Sequence, residues 1–401
     1  MNILFISYWG LDEGLTQSTV IPHIKILSEY EIVNKIFLIT IERDFISQFE
    51  DTASKIKHIP IRSYYSSIPL IGKILDFIKI PKKLKQYCTD YQIDKIIARG
   101  SPAGALAYLT WKKIKIPFFV ESFEPHADYM RETGVWKKWN LKYIFQKIWE
   151  NKQCQTAKGI MTVAEGYTNY LKIRYPQNLN VLTVPCAVDS TRFKYSYKDR
   201  FTIRKELVID DYQIIGIYTG KFGGLYFDIK DLRILSDIFK YYTNLGLIFL
   251  TPTPEVDIRK KLQPLKNHLN KIMIKKVSYN DVPKYLSASD FGLSLNKQFV
   301  SGKYLSPIKI GEYWANGLPV LMTEGIGDER EFLEKERGGV FFNLSNIPAT
   351  LQKLEDLIKD PDHRTRIPVL AKKYRSFNTV REAYKKLILP EIIDQSEKSK
   401  G

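Results

Sequence analysis

A lysine and a glutamate stand one helical turn apart behind a proline in the sequence SPIKIGEYWANGLPVL, residues 306–321. The run predicts a loop that breaks at Pro307, a short helix, a glycine stop and a buried strand. The first turn of such a helix presents backbone N–H groups and a partial positive charge, which suit a phosphate or diphosphate. Lys309 adds a full charge, and Glu312 can accept hydrogen bonds from sugar hydroxyls. Alone, the run also fits an ordinary helix–strand turn with a surface Lys–Glu pair.

A glycine-rich loop precedes this run in the same half of the chain. Residues 218–226 have the sequence YTGKFGGLY, and Gly223 and Gly224 allow a backbone to approach a ligand closely. Lys221 is then placed to stabilise a diphosphate leaving group electrostatically. A glycine turn with a solvated lysine is the alternative.

The first half of the chain has a candidate loop directly after its first predicted strand. The loop Trp9–Pro22 carries Gly14, Gln17 and Ser18 where a helix begins. A ligand above the carboxyl ends of the strands would meet this loop. Helix capping by Ser18 or by the neighbouring threonine is a compatible alternative.

A further candidate loop, VESFEPHADYMRE at residues 120–132, follows a later strand. It brings Glu124, His126 and Asp128 together, and loops at the carboxyl ends of strands often hold active sites. A structural histidine capped by Asp128 is the other interpretation, and the residue types alone do not choose between them.

Composition bounds the class of protein. A chain of 401 residues favours two domains, and 44% hydrophobic with 26% charged residues is typical of a soluble globular protein. No apolar stretch approaches the roughly 18 residues of a membrane span, and the N-terminus resembles a first buried strand more than a signal peptide. Cys88, Cys154 and Cys186 lack metal-ligand spacing, which predicts reduced thiols in the cytoplasm and no metal site.

The net charge of +17 favours a polyanionic partner. Two segments, Lys73–Lys85 and Lys137–Lys152, mix lysines with apolar and aromatic residues, a composition that suits the surface of an anionic membrane. A solvated basic face is the alternative. A nucleic-acid-binding protein would share the charge, but the sequence has no recognisable nucleic-acid-binding motif, so no nucleic-acid partner is expected.

Short apolar runs alternate with helical periodicity, which predicts doubly wound α/β layers in two domains. The first domain is predicted at 1–190 and the second at 201–378, followed by an amphipathic helix at 379–395. The predicted strands are 2–7, 35–40, 57–60, 95–98, 117–121, 159–163 and 181–184 in the first half, and 213–219, 247–250, 271–275, 291–295, 319–322 and 339–342 in the second. Residues 396–401 are expected to be disordered.

The loops quoted above and the linker Pro185–Phe193 resemble those of retaining glycosyltransferases with the GT-B fold, in the family-4-like group with a Ser-Pro-x-Lys-x-x-Glu-Tyr run. The resemblance implies two Rossmann-like domains facing across a cleft, with the last helix crossing back to the first domain. It also implies transfer of a hexose from a nucleotide diphosphate sugar to a hydroxyl of a glycan, lipid-linked in surface polysaccharide or glycoconjugate assembly. Neither cofactor nor metal is implied, and the enzyme would be cytoplasmic and peripheral on the inner face of the membrane.

The resemblance also assigns roles to residues. His126, Lys221 and Lys309 would be catalytic, and His126 would contact the transferred sugar. The donor-binding residues would be Gly223, Gly224, Tyr304, Ser306, Ile308 and Glu312, and the acceptor-side residues Gly14, Gln17, Ser18, Glu124 and Asp128. The usual pattern pairs this glutamate with another carboxylate about two turns earlier; Tyr304 stands there, so the donor sugar stays open. A GT-B nucleotide-sugar epimerase and a basic nucleic-acid-binding protein remain the alternatives.

Overall fold

The computed structural model describes residues 1–43, 55–64, 69–137, 139–176, 180–209, 213–222 and 229–389. The chain forms two compact units. Unit 1 consists of Met1–Asp128, Lys138–Pro185 and Asn378–Gly401, and unit 2 consists of Tyr129–Lys137 and Cys186–Phe377.

Unit 1 is built on a sheet of seven described strands in the order β3-β2-β1-β4-β5-β6-β7, and each recorded pairing is parallel. The strands are β1 (Asn2–Ser7), β2 (Lys35–Glu42), β3 (Ile56–Arg62), β4 (Lys95–Arg99), β5 (Phe118–Phe123), β6 (Gly159–Thr162) and β7 (Val181–Thr183). The helices are α1 (Ile21–Ser28), α2 (Pro69–Asp90), α3 (Gly100–Ile114), α4 (His126–Glu132, which continues into unit 2), α5 (Leu141–Thr156) and α6 (Glu165–Arg174). The strand order reverses between β1 and β4, where open parallel sheets bind ligands.

Unit 2 repeats this design with six described strands in the order β10-β9-β8-β11-β12-β13, again with parallel pairings. The strands are β8 (Ile214–Thr219), β9 (Leu245–Leu250), β10 (Ile272–Lys275), β11 (Phe291–Ser294), β12 (Val320–Met322) and β13 (Gly339–Phe341). The helices are α7 (Tyr197–Glu206), α8 (Ile229–Tyr241), α9 (Glu255–Lys261), α10 (Val282–Ala288), α11 (Ile308–Ala315), α12 (Ile347–Lys359) and α13 (His363–Tyr374). The strand order reverses between β8 and β11.

The last helix among the described residues, α14 (Phe377–Ala383), continues as a π-helical turn at Tyr384–Ile388 and packs in unit 1. The Tyr384 hydroxyl donates to Glu121 Oε2 at 2.5 Å and lies 2.8 Å from His23 Nδ1. Arg99 donates to the other Glu121 oxygen at 2.9 Å. Burial alone would raise the pKa of Glu121, but the adjacent His23 and Arg99 lower it to about 2. The buried cluster therefore fastens the turn Tyr384–Ile388 to the rest of unit 1.

Shorter helical turns complete the described elements. A π-helical turn at Thr16–Val20 leads into α1, and 3₁₀ turns lie at Gln263–Lys271, Val300–Tyr304 and Glu329–Glu331.

The predicted fold class is confirmed. Every predicted strand is present, with ends within two residues of the prediction, because the parallel strands are buried on both faces and appear in the sequence as continuous apolar runs. The unit limits differ from the predicted ranges: residues 129–137 belong to unit 2, where the Glu132 carboxylate accepts hydrogen bonds at 2.7 Å from the Ser301 N–H and hydroxyl. Residues 390–395 of the predicted last helix, and the tail 396–401, lie outside the described residues.

Candidate functional site

The loop after β8 and the start of α11 come together at the carboxyl edge of the unit 2 sheet. The Lys309 ammonium lies 4.1 Å from the centre of the Tyr218 ring. A Cβ added at Gly220, whose φ is +136°, would be 3.5 Å from that ammonium. Two stretches almost ninety residues apart in the sequence therefore lie side by side.

Lys309 and Glu312 are both buried within the first turns of α11. Burial lowers the pKa of Lys309 to about 7, against the attraction of Glu312, which acts to raise it. Burial likewise raises the pKa of Glu312 to about 7, although a hydrogen bond from Tyr279 and the charge of Lys309 act to lower it. The Tyr279 hydroxyl donates to Glu312 Oε1 at 3.1 Å. At neutral pH, a charged ligand that binds close by would therefore change the protonation of both Lys309 and Glu312.

The Ser306 hydroxyl holds the loop in front of α11. It accepts hydrogen bonds from the backbone N–H of Cys186 at 3.2 Å and from the Arg375 guanidinium. Arg375 in turn forms a buried ion pair with Glu329. Since no side chain caps α11 at Pro307, this network keeps the helix start in place without covering it by a capping group.

The remaining unit 2 candidates differ in exposure. Lys221 is exposed on the loop after β8, and its carbonyl accepts a hydrogen bond from the Tyr218 hydroxyl at 2.6 Å. Tyr304 is half-buried at the end of a 3₁₀ turn, with the Lys303 ammonium 5.2 Å above its ring. Ile308 is the first residue of α11 and is half-buried. Gly223 and Gly224 lie outside the described residues.

Sequence reasoning missed the tyrosine that joins these parts. The Tyr313 hydroxyl accepts a hydrogen bond from the Thr219 N–H at 3.0 Å and donates to the Leu293 carbonyl at 3.2 Å. It therefore fixes the ends of β8 and β11 to α11. A Cβ at Gly292 would collide with its ring. A glycine inside an apolar strand was the available signal, since such a glycine often marks a close approach.

In unit 1, the loop after β1 is held by one of its own side chains and by a carboxylate at the end of β2. Gln17 donates to the Leu11 carbonyl at 2.9 Å, and the backbone N–H of Leu11 donates to the buried Glu42 at 3.0 Å. Ser18 does not cap a helix, as one interpretation proposed, but donates back to the Leu15 carbonyl at 3.4 Å. Gly14 is exposed, and a Cβ added there would meet open space.

The loop after β5 begins with a distortion of the strand. The register with β6 shifts between Val120 and Phe123, and Ser122 has a φ of +51°. Bulges of this kind redirect side chains next to functional sites. Glu124 and His126 follow at once, both half-buried, and the His126 N–H donates to the Glu124 carbonyl at 2.8 Å.

Asp128 is tied to α5. Its carboxylate accepts hydrogen bonds from the Lys147 ammonium at 2.5 Å and the Tyr143 hydroxyl at 3.4 Å. The structure thus brings Glu124, His126 and Asp128 into one turn of unit 1. Among the described residues, no cluster of three or more His, Cys, Asp or Glu side chains is arranged to hold a metal ion, and no helix there is both long and apolar enough to cross a bilayer.

No protein-family model matches this chain, and no curated protein sequence does. Several solved structures are similar over nearly its whole length. A sucrose-phosphate synthase from Thermosynechococcus elongatus has a TM-score of 0.76 at 13% identity, over 98% of this chain and 100% of that one. Anabaena HepE, solved with UDP and glucose, has a TM-score of 0.69 at 14% identity, over 97% and 99%.

WaaG, a glycosyltransferase involved in lipopolysaccharide biosynthesis, has a TM-score of 0.65 at 15% identity, covering 96% of this chain and 99% of that one. With two parallel Rossmann-like sheets and a last helix on unit 1, these likenesses confirm the predicted GT-B fold. At such low identities they establish the fold alone.

Proposed function

We propose that this protein is a retaining, metal-independent glycosyltransferase that moves a hexose from a nucleotide diphosphate sugar to a hydroxyl of a glycan. The observation that carries the proposal is the meeting of the β8 loop and the α11 start, which places Lys309 between Tyr218 and Gly220. A diphosphate there would gain both the ammonium charge and the positive end of a helix.

The proposed chemistry needs little beyond positioning and charge. As the bond from the anomeric carbon to the phosphate oxygen breaks, negative charge develops on the diphosphate, where Lys309, Lys221 and the helix start stabilise it. The acceptor hydroxyl bonds to the same face of that carbon, and its proton passes to the departing phosphate. Glu312 accepts hydrogen bonds from ribose hydroxyls.

Unit 1 supplies the remaining assignments, which rest on the family resemblance. His126 contacts the transferred sugar, and the loop with Gly14, Gln17 and Ser18 lies on the acceptor side. Glu124 and Asp128 belong to the same side. This division follows the fold, since each group follows the carboxyl end of a parallel strand.

Thermal shift and calorimetric titration with nucleoside diphosphates and nucleotide sugars, with and without EDTA, test the donor site. We expect one nucleoside diphosphate to stabilise the protein equally in both conditions. Glu312→Gln should weaken its affinity about tenfold, since a charge-assisted hydrogen bond is lost. Unchanged affinity in the folded variant would remove Glu312 from the site, and no stabilisation by any nucleotide would reject the donor proposal.

The two alternatives give different products or ligands. An epimerase would change the sugar of the bound nucleotide without an acceptor, whereas a transferase releases nucleoside diphosphate and leaves the recovered donor sugar unaltered. A nucleic-acid-binding protein would be stabilised by DNA or RNA in a salt-dependent manner instead.

The proposed acceptor is lipid-linked because unit 1 has a surface suited to an anionic bilayer. On α5, Leu141, Ile144, Phe145 and Ile148 form one stripe and are between 37% and 69% exposed. Helix α2 lies beside it, with Phe77 5.2 Å from Phe145 between ring centres. This exposed apolar face is called the α2–α5 surface below.

The same face of α2 exposes Ile74 and Ile78 and then, at helical spacing, the lysines Lys82 and Lys85. Exposed apolar side chains beside lysines match the acyl boundary and anionic headgroups of a membrane. The side chain of Lys73, which belongs to the predicted basic segment, lies outside the described part. A peripheral position on a membrane would follow from this surface, and the cytoplasmic face is the one we propose on the basis of the expected reduced cysteines.

Vesicle sedimentation tests this surface. The wild type should bind phosphatidylglycerol vesicles more tightly than phosphatidylcholine vesicles, and Ile144→Ser with Ile148→Ser should reduce binding about tenfold. Lys82→Glu with Lys85→Glu should do the same. The control, Lys260→Glu with Lys266→Glu, makes an equal charge change at exposed positions of unit 2 and should bind as the wild type does. Equal binding by all variants would reject the membrane surface.

A further inference from the structure

The buried side of helix α5 carries mainly polar side chains. Its buried residues are Gln146, Glu150, Gln153 and Cys154, whereas its exposed side carries the apolar stripe of the α2–α5 surface. A carboxylate removed from water costs free energy unless hydrogen bonds replace its hydration. A glutamate at the centre of the buried side therefore marks contacts on which this part of unit 1 depends.

The Glu150 carboxylate joins the first turns of two other helices. Its Oε1 accepts a hydrogen bond from the backbone N–H of Ala127 at 2.8 Å, at the start of α4. The same oxygen accepts one from the Ser101 hydroxyl at 3.4 Å, at the start of α3, and one from Gln146 at 3.3 Å. Since α3 and α4 follow the neighbouring strands β4 and β5, Glu150 links two loops at the carboxyl edge of the sheet.

A lysine of α5 adds a second link to α4. The Lys147 ammonium lies 2.5 Å from Asp128 Oδ2 and 4.0 Å from Glu150 Oε2. Ala127 and Asp128 are the two residues directly after His126. Helix α5 therefore holds Ala127 through the backbone N–H of Ala127 and Asp128 through the carboxylate of Asp128.

The place of Glu150 is itself fixed by close packing of α5 on α3. Gln153 donates to the Ser101 carbonyl at 2.9 Å, and a Cβ at Gly104 would collide with the Gln153 side chain. Only a glycine at that position lets the two helices approach this closely. Oε1 of Glu150 therefore has little freedom to follow the first turn of α4 if that turn moves.

From these contacts we infer that Glu150 is a positioning residue that holds the turn carrying His126 in its working position. It touches no substrate; it acts by fixing the backbone at Ala127, one residue beyond the imidazole. The functional part of this inference rests on the proposed contact of His126 with the transferred sugar. The structural part does not.

Hydrogen exchange tests the structural part. Glu150→Met keeps the side-chain length without an acceptor, so the Ala127 amide should exchange about tenfold faster. Glu150→Gln keeps an oxygen acceptor and should exchange as the wild type does. Cys154→Ala, at another buried position of the same helix, is the matched control and should leave the Ala127 amide protected. If Glu150→Met does not fold, Glu150→Asp, which retracts the carboxylate, should give the same increase.

Turnover tests the functional part, measured as hydrolysis of the nucleotide sugar that gave the largest thermal shift. Glu150→Met should lower kcat about ten- to hundredfold while leaving the affinity for the nucleoside diphosphate unchanged, because the proposed diphosphate and ribose contacts lie in unit 2. Glu150→Gln should restore kcat. If the Ala127 amide of Glu150→Met exchanged as in the wild type, the inference would be overturned. The same holds if that amide exchanged faster but kcat did not change. Wild-type turnover by His126→Ala would instead reject the role of His126, while the exchange result still decides whether Glu150 holds the turn.

Discussion

Nucleoside diphosphate binding should weaken steeply above pH 7, because it requires a charged ammonium on Lys309. In the free protein, burial lowers the pKa of this lysine from 10.5 to about 7, so the ammonium loses its proton in the neutral range. A bound diphosphate places negative charge beside it and favours the protonated form. Binding must then take up a proton whenever Lys309 is neutral in the protein without ligand.

The size of the effect follows from the two pKa values. If the diphosphate restores the ordinary value, affinity falls about fivefold from pH 7 to 8 and about ninefold more from pH 8 to 9. At pH 8 Lys309 is about one-tenth protonated in the unliganded protein and almost fully protonated in the complex. Each binding event therefore takes up about 0.9 proton. The phosphate groups of the ligand are themselves fully ionised above pH 7.5.

Calorimetric titration in two buffers of different ionisation enthalpy measures this uptake directly. The variants are compared in a Glu312→Gln background, because the pKa of Glu312 is also about 7. In that background Lys309→Met keeps the side-chain length but has no ammonium, so it should bind more weakly at pH 7.5 and show neither uptake nor a slope with pH. A wild-type affinity that is level from pH 7 to 9, without proton uptake, would refute the reasoning. A slope that persists in Lys309→Met would assign the titration to another group.

Two further substitutions test the packing of each unit by urea unfolding. Tyr384→Phe should destabilise unit 1 by about 1–2 kcal/mol, because buried charge-assisted hydrogen bonds are lost. Tyr30→Phe removes a half-buried hydrogen bond of 3.0 Å to the Arg381 carbonyl in the same terminal segment and should destabilise unit 1 less. Equal losses of stability in the two variants would contradict this expectation. Gly292→Ala should destabilise unit 2 by about 1–3 kcal/mol, because its Cβ collides with Tyr313. Gly14→Ala, in open space, should change stability by under about 0.5 kcal/mol.

The sequence predicted those parts of the molecule that local patterns encode. Buried parallel strands produce apolar runs, and α11 is marked at both ends, by Pro307 before it and by Gly317, whose φ is +74°, after it. The same signals placed Lys309 one turn before the glutamate. That the β8 loop and this lysine form one donor site was implied by the family resemblance and stays a prediction. The structure adds that the Lys309 ammonium lies 4.1 Å from the centre of the Tyr218 ring, at the end of β8.

Residues that act through distant partners could not be predicted in this way. Tyr279 reaches Glu312 from a loop 33 residues earlier, and no local pattern distinguishes it from the many other tyrosines. The positive φ at Ser122 is equally silent in sequence, because serine has no preference for that conformation. Glu150 was hidden for a different reason: in a basic, aromatic segment, a lone acid is expected on the solvent side.

The two faces of α5 carry separable roles, and this separation can be measured. The apolar stripe points out and the polar residues point in, the reverse of an ordinary surface helix. Ile144→Ser with Ile148→Ser should therefore release the protein from anionic vesicles while the Ala127 amide stays protected. Glu150→Met should do the opposite. If either variant changed both properties together, the helix would be deforming as a whole, and neither face could be assigned its role independently.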